Sequence, residues 1–480
     1  MSIFLEPVSP RQALEAVLDA RERRTALRQD LVTGGRVLIS LSLNIPGWPK
    51  TDPLFTEVFG RVRGELTRFL AAHLLYLDPG RLHDHVDAAG DFFLAALRLP
   101  GPPAGDVKQI TERFEARHPL GRIIDVDVST SSGEPVSSCR AKPCLLCPDR
   151  PAIVCMREGT HPTDELRGVV RTRMTAYLNT LRRESVCRRL AAAATRAMLY
   201  EVAHTPKPGL VDRAGAGSHD DMDFFTFLDS SAAISGSFFD LATLGYDKGS
   251  ERLDQLLPEL RVQGLAMEQA MFAATGNVNT QRGLIFLLAL ALVAAGRALA
   301  EASAFSSGRF REIVRTMCAG MVKRELGPLA EPGRVAATHG ASVFQRFGLP
   351  LGGGVRAEAE AGFPTVFEAG LPALEAKAST GLPHRGDPEM QATLDAALYA
   401  LIAVNPDSNV LHRGGGEALA GLQQRASAIR VATQPTARSA ERAELFDFVA
   451  RHRLSPGGSA DLLALTLFLY FVKRLFPDEL

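Results

Sequence analysis

Carboxylates and cations recur together in short glycine- and proline-rich motifs through the C-terminal part of this chain. The first, Glu201-Val-Ala-His-Thr-Pro-Lys-Pro-Gly-Leu-Val-Asp212, offers Lys207, a flexible Gly209 and Asp212. Gly217-Ser-His-Asp-Asp-Met-Asp223 follows at once with His219, Asp221 and Asp223. Asn277-Val-Asn-Thr-Gln-Arg-Gly283 brings Asn279, Thr280 and Arg282 to the start of an apolar helical run, whose free N–H groups suit a phosphate. Thr338-His-Gly340 leads to Gly354-Val-Arg-Ala-Glu-Ala-Glu-Ala-Gly-Phe-Pro364, which carries Arg356, Glu358 and Glu360. Asp407-Ser-Asn-Val-Leu-His-Arg-Gly-Gly-Gly416 supplies Asp407, Asn409, His412 and Arg413, and Ser455-Pro-Gly-Gly-Ser-Ala-Asp461 closes the set. Taken singly, an Asp-x-Asp, a Lys-Pro-Gly or a Gly-Gly-Gly is a solvated turn as readily as a site. His204 and His412 serve equally well as helix caps or core groups. The joint occurrence of the motifs is what argues for a site.

The N-terminal part carries a second constellation. In His118-Pro-Leu-Gly-Arg-Ile-Ile-Asp-Val-Asp-Val128, Asp125 and Asp127 stand two apart on a β-patterned run, so both project from one face. With Arg122 just upstream, they suit Mg²⁺ and a polyphosphate, although a strand with a polar outer face has the same pattern. Leu43-Asn-Ile-Pro-Gly-Trp-Pro-Lys50 reads as a rigid loop ending in one cation, Lys50. Cys144, Cys147, Cys155 and His161 have the spacing of a structural zinc site, with Cys139 as a spare ligand; the rival reading is reduced thiols in a loop clipped by packing. Cys187 and Cys318 fall in helical patterns and read as small core residues.

The elements that position these residues fall into two classes. At 480 residues the chain exceeds what one core usually serves. Up to about residue 184, helical patterning at 10–31 and 54–77 mixes with β-branched runs at 37–43 and 123–128, which predicts an α/β or α+β domain. From 185 to 480 alanine, leucine and glycine recur at helical spacing, which predicts a larger all-α domain, with helices such as 186–204, 224–244, 283–300 and 460–475 joined by loops that carry the motifs, among them 350–354, 381–388 and 412–416. Lysine plus arginine and aspartate plus glutamate number 54 each, so no overall field draws the chain to nucleic acid or a membrane. The apolar runs 284–295 and 462–472 fall short of the roughly 20 residues of a membrane span and read as core helices. The N-terminus has no pattern of a secretory signal, so a cytoplasmic location with reduced or metal-bound cysteines is expected.

The C-terminal motifs, in this order, make roughly residues 186–480 resemble the triphosphoribosyl-dephospho-coenzyme A synthase family. That resemblance implies an all-α domain joining ATP to 3′-dephospho-coenzyme A, with release of adenine and a triphosphoribosyl group left on the ribose 2′-hydroxyl. Breaking the bond from C1′ to adenine builds oxocarbenium character, which a nearby carboxylate stabilises while another deprotonates the attacking hydroxyl. On this view Asp221 and Asp223 hold Mg²⁺, and Lys207, Arg282, Arg356 and Arg413 meet the triphosphate. Glu358, Glu360 and Asp407 are the catalytic candidates. Gly209, Asp212, His219, Asn279, Thr280, Asn409 and His412 complete the binding wall. The family usually has His-Lys where this chain has Gln281-Arg282, and Gly at Ala357. Residues 1–183 resemble the holo-acyl-carrier-protein synthase of citrate lyase, through 44–50, 118–128 and 144–155. This implies transfer of the first product to a serine of the lyase's acyl carrier protein (gamma) subunit, with loss of pyrophosphate. Arg122 and Lys50 would then hold phosphate, and Asp125 and Asp127 the metal. Two consecutive steps on one chain form a coherent pair. The alternatives are service to malonate decarboxylase, a ribosyl hydrolase, or a helical interaction module without chemistry.

Overall fold

The computed structural model describes residues 9–32, 35–138, 142–147, 149–249, 252–330, 338–349, 351–378, 381–383 and 388–477. Cys139 and parts of the loops at 350–354 and 381–388 lie outside the described residues. The chain forms two compact units, Met1–Arg182 and Arg183–Leu480.

The first unit is built on a four-stranded sheet of β1 (Leu38–Leu43), β2 (Leu77–Asp87), β3 (Gly90–Leu97) and β4 (Ile124–Ser129), in the order β2-β3-β1-β4. Every pairing is antiparallel, so of the two expected classes the sheet is of the α+β kind. Alternation along the strands sorts the side chains. Ile39, Leu41, Phe93, Ala95, Val126 and Val128 face a core shared with Val58, Val62 and Leu66 of the helix Pro53–Ala72 and with Val107 and Phe114 of Ala104–Arg117. Leu38, Phe92, Leu94 and Ala96 face Leu31 of the helix Pro10–Leu31. β4 is an edge strand whose middle is covered by side chains. Lys108 Nζ donates to the Val126 carbonyl at 2.9 Å, and Glu115 accepts from the Val126 N–H at 2.7 Å.

Among the described residues, the regular structure of the second unit is helical apart from one isolated bridge at Asp212 and Gly215. Arg282–Glu301 and Gly457–Leu475 are apolar on nearly all sides and form its centre, together with Leu394, Leu398 and Leu401 of Pro388–Ile402. By length and composition Arg282–Glu301 could cross a membrane, because the helix runs beyond the apolar stretch read from sequence, but 83% of its apolar window is buried inside the protein. The expected helix at 224–244 is two, Phe224–Ser235 and Phe238–Asp247, broken at Gly236. Two stretches read as loops are helical. Gly354–Glu360 is one, and Ser408–Val431 takes in the triple glycine, kinking at Gly415, where φ is 73°. A glycine run marks a bend in that helix rather than its absence.

Candidate active site

In the second unit a cavity of about 590 Å³ opens between helix ends. Its wall holds Lys207, His219, Asp221, Asn279 and Thr280 from the earlier motifs, and Arg282, Arg356, Asn409, His412 and Arg413 from the later ones. Among the helices that present first-turn residues to it are Arg282–Glu301, His339–Phe347, Ser408–Val431 and Gly457–Leu475. The leading N–H groups of a helix lack intrahelical acceptors and carry the positive end of its dipole, so this wall favours an anion.

The side chains are fixed by specific contacts. Arg413 Nη1 donates to the carbonyls of Ser218 and Arg453 at 2.9 and 3.1 Å, and its Nη2 lies 3.4 Å from His219 Nδ1. His219 Nε2 meets Ser455 Oγ at 2.8 Å; burial and Arg413 hold its pKa below the usual value, which favours a neutral ring. His412 stacks on His339 with ring centroids 4.0 Å apart, and burial together with that neighbour lowers its pKa too. Arg356 pairs with Glu325 at 2.7 Å, and Arg282 with Glu268 at 2.9 Å. Thr280 Oγ1 donates to Ser230 Oγ at 2.8 Å. Asp221 is 62% exposed and lies 3.7 Å from His219.

The other acidic candidates do not line this cavity. Asp407 is buried. It caps Ser408–Val431 through the N–H groups of Asn409 and Val410 and accepts from Ser459 N and Oγ at 2.7 and 3.0 Å, so it ties two of the helix starts together. Burial raises its pKa. Glu358 accepts from Thr365 N and Oγ1, both at 2.9 Å, and Glu360 from the N–H groups of Gly320 and Val322 at 3.0 and 2.7 Å. Asp212 organises its own loop by accepting from Lys207, Ala214 and Gly215 N–H groups. Asp223 forms a capping box with Thr226 at the start of Phe224–Ser235. Gly209 has φ +67°, and a Cβ there would strike the Leu454 carbonyl and Val449. His204 is a buried core group between Gln391 at 2.9 Å and Asp395 at 3.0 Å.

Four titratable lining groups stood outside the sequence candidates: Glu201, Glu268, His339 and Asp461. Glu201 forms a buried ion pair with Lys207, whose amine also donates to the Glu201 carbonyl at 2.9 Å. Asp461 makes no hydrogen bond or ion pair among the described residues and lies so close to Gly283 that any side chain at 283 would collide with it. Burial, then the charges of Glu201 and Asp407, push its pKa well above the carboxylate range. Glu201 and Asp461 were visible as the first and last residues of quoted motifs, but nothing local distinguishes them from solvated acids.

In the first unit, Asp125 and Asp127 project from the β4 face opposite the main core, in register with Ser42 and Ser40 of β1. Lys142 pairs with Asp125 and lies 3.9 Å from Glu115. Arg28 donates to Ser40 Oγ at 3.1 Å and lies 3.9 Å from Asp127. Burial and the neighbouring Asp125 raise the Asp127 pKa. The Nε of Arg122 is buried without a hydrogen-bond partner. Lys50 Nζ donates to the Ile45 carbonyl at 2.5 Å, and burial, with Arg21 and Arg167 nearby, lowers its pKa.

Cys144, Cys147, Cys155 and His161 converge, with ligand atoms all within 4.8 Å of one another. Burial pushes the Cys144 thiol up, but N–H groups of Cys147 and Leu146, the Cys155 thiol and nearby His161 bring it down to about 7. Cys147 Sγ lies 3.1 Å from His161 Nε2. Three thiols and an imidazole at this spacing can surround one metal ion.

Residues 187–479 match the family model for ATP:dephospho-CoA triphosphoribosyl transferase, and residues 12–177 match that for apo-citrate lyase phosphoribosyl-dephospho-CoA transferase. A relative from Haemophilus influenzae, "Protein CitXG", is 31% identical over 469 residues, covering 95% of each chain. The protein of the same name from Leuconostoc mesenteroides subsp. cremoris is 30% identical over 95% of this chain and 96% of its own. The 2-(5''-triphosphoribosyl)-3'-dephosphocoenzyme-A synthase of Pectobacterium atrosepticum is 41% identical over 283 residues, 59% of this chain and 87% of its own.

Proposed function

The chain belongs to the family that fuses an apo-citrate lyase phosphoribosyl-dephospho-CoA transferase to an ATP:dephospho-CoA triphosphoribosyl transferase, and from that membership we propose which side chains carry each step. It is a bifunctional transferase serving prosthetic-group synthesis and transfer for citrate lyase.

Residues 185–480 bind ATP and 3′-dephospho-coenzyme A in the large cavity. The triphosphate lies at the helix starts, where Arg356, Arg413 and Asn409 meet it. Magnesium bound with the nucleotide would neutralise the phosphates, and Asp221 is the exposed cavity carboxylate able to hold it. Asp461 takes the proton of the attacking 2′-hydroxyl, because a carboxylate without a partner and with a raised pKa is suited to that task at neutral pH. The Glu201 carboxylate, held by Lys207, stabilises the positive ribose. The observation that carries this reading is one cavity joining several helix starts and their cations to an unpartnered acid.

Residues 1–184 transfer the product to a serine of the citrate lyase acyl carrier protein. Asp125 and Asp127 would hold Mg²⁺ there, and Arg122 and Arg28 receive the pyrophosphate that leaves as the serine oxygen bonds to the α-phosphorus. The cysteine and histidine cluster binds a structural zinc, pinning the segment that begins two residues after Lys142, the partner of Asp125.

The test incubates the protein with ATP, dephospho-coenzyme A, Mg²⁺ and apo carrier protein and weighs the carrier by intact mass spectrometry. A gain of one phosphoribosyl-dephospho-coenzyme A is expected, with adenine release that requires dephospho-coenzyme A. Adenine released equally without that acceptor would make the second unit a hydrolase, and an unchanged carrier mass would remove the transferase assignment.

A further inference from the structure

Gln281 is only 2% exposed, yet it lines the cavity, and its Nε2 has no hydrogen-bond partner. Its orientation is set from behind. The Thr280 hydroxyl donates to Ser230 Oγ, and Ser230 Oγ donates in turn to Gln281 Oε1 at 2.7 Å. The backbone N–H of Gln281 is taken by Met271 Sδ at 3.3 Å. The amide oxygen is therefore used and both Nε2 hydrogens are left over. An unmet buried donor is destabilising, so its retention calls for an acceptor that arrives with a ligand.

The surroundings say which acceptor. Phe227 lies one turn before Ser230 on Phe224–Ser235, and Phe286 lies just over one turn into Arg282–Glu301 from Gln281; both line the cavity, as does Met222. Two aromatic rings, a thioether and a neutral amide donor suit a flat heterocyclic base with ring nitrogens, not a phosphate.

We propose that Phe227, Phe286 and Gln281 form the subsite for the purine base of ATP, with Gln281 Nε2 donating to N3 or N7 of that base. The proposal rests on the ribosyl-transfer reading of this cavity. In the reaction the C1′–N9 bond breaks with its electron pair going to the purine, the 2′-oxygen bonds to C1′, and the hydroxyl proton balances the charge on the departing base. A donor on a purine nitrogen strengthens as that electron pair arrives, so it lowers the barrier more than it tightens binding. The amide donates without titrating, and the proton count on adenine closes with the one given up by the 2′-hydroxyl.

The experiment measures adenine release from ATP, 7-deaza-ATP and 3-deaza-ATP by the wild type, Gln281→Leu and Gln281→Met, with thermal melts confirming that both variants fold. On ATP each variant should lose about 10- to 100-fold in kcat with little change in KM for dephospho-coenzyme A. On one of the two deaza nucleotides, whichever lacks the acceptor, wild type and variants should turn over equally. An equal loss on all three nucleotides, or no loss on any, overturns the subsite while leaving ribosyl transfer intact. Failure of the wild type to release adenine from ATP overturns the parent reading instead.

Discussion

Asp461 holds its proton more tightly than an exposed aspartate because it is withdrawn from solvent beside Glu201 and Asp407. If Asp461 is the base it works only when ionised, so wild-type adenine release should rise with pH through a range above the ordinary carboxylate value. Asp461→Asn should lose about 100- to 10,000-fold in kcat and show no such rise, as a pH profile will record. Stability runs the other way. With the folded pKa raised, the stabilisation is complete below the unfolded pKa and is lost as pH rises through the folded one. The asparagine variant should therefore melt higher than wild type at pH 8 and no differently near pH 3. At this scale the sequence was legible for cations and amides, since Lys207, Arg356, Asn409 and Arg413 lie in the cavity wall. It was ambiguous for acids. Asp212, Asp223 and Asp407, expected as a binding residue, a magnesium ligand and a catalytic group, fix a loop and two helix starts, and only tertiary placement separates such roles.

Elements were read best where period and composition agreed, as in Arg282–Glu301 and Gly457–Leu475. They were read worst where glycine interrupts a helix, because Gly414 to Gly416 carry the loop signal while the flanking residues carry the helical one. The cysteine cluster is the converse case, since ligand spacing alone located it, with Cys155 on the short helix Ala152–Glu158 and the other ligands in the irregular segments around it. If zinc binds that cluster, purified protein should contain one equivalent by mass spectrometry of the metal. Cys147→Ser should lose most of it and slow carrier loading at least about tenfold, with adenine release changed by less than about twofold. Full metal content in the variant would show that the thiolate is not a ligand.

At the scale of the whole chain, two transferase families matched on separate compact units predict separable defects. Asp127→Ala should release adenine normally and leave the carrier unmodified, whereas Asp461→Asn should be deficient in both readouts. Mixing the two variants should restore loading after a lag that shortens as the Asp127→Ala protein is made more concentrated, because the intermediate must then travel between molecules. A mixture that never loads the carrier would show instead that the intermediate does not leave the chain that makes it.

The side chains of Lys108 and Glu115 have a bearing beyond the unit they complete. By occupying the amide and carbonyl of Val126, they leave the rim of the sheet without the repeating row of donors and acceptors on which a neighbouring molecule could lay down a ribbon. A neighbouring chain approaching this edge at Val126 thus meets side chains rather than a free backbone to anneal with.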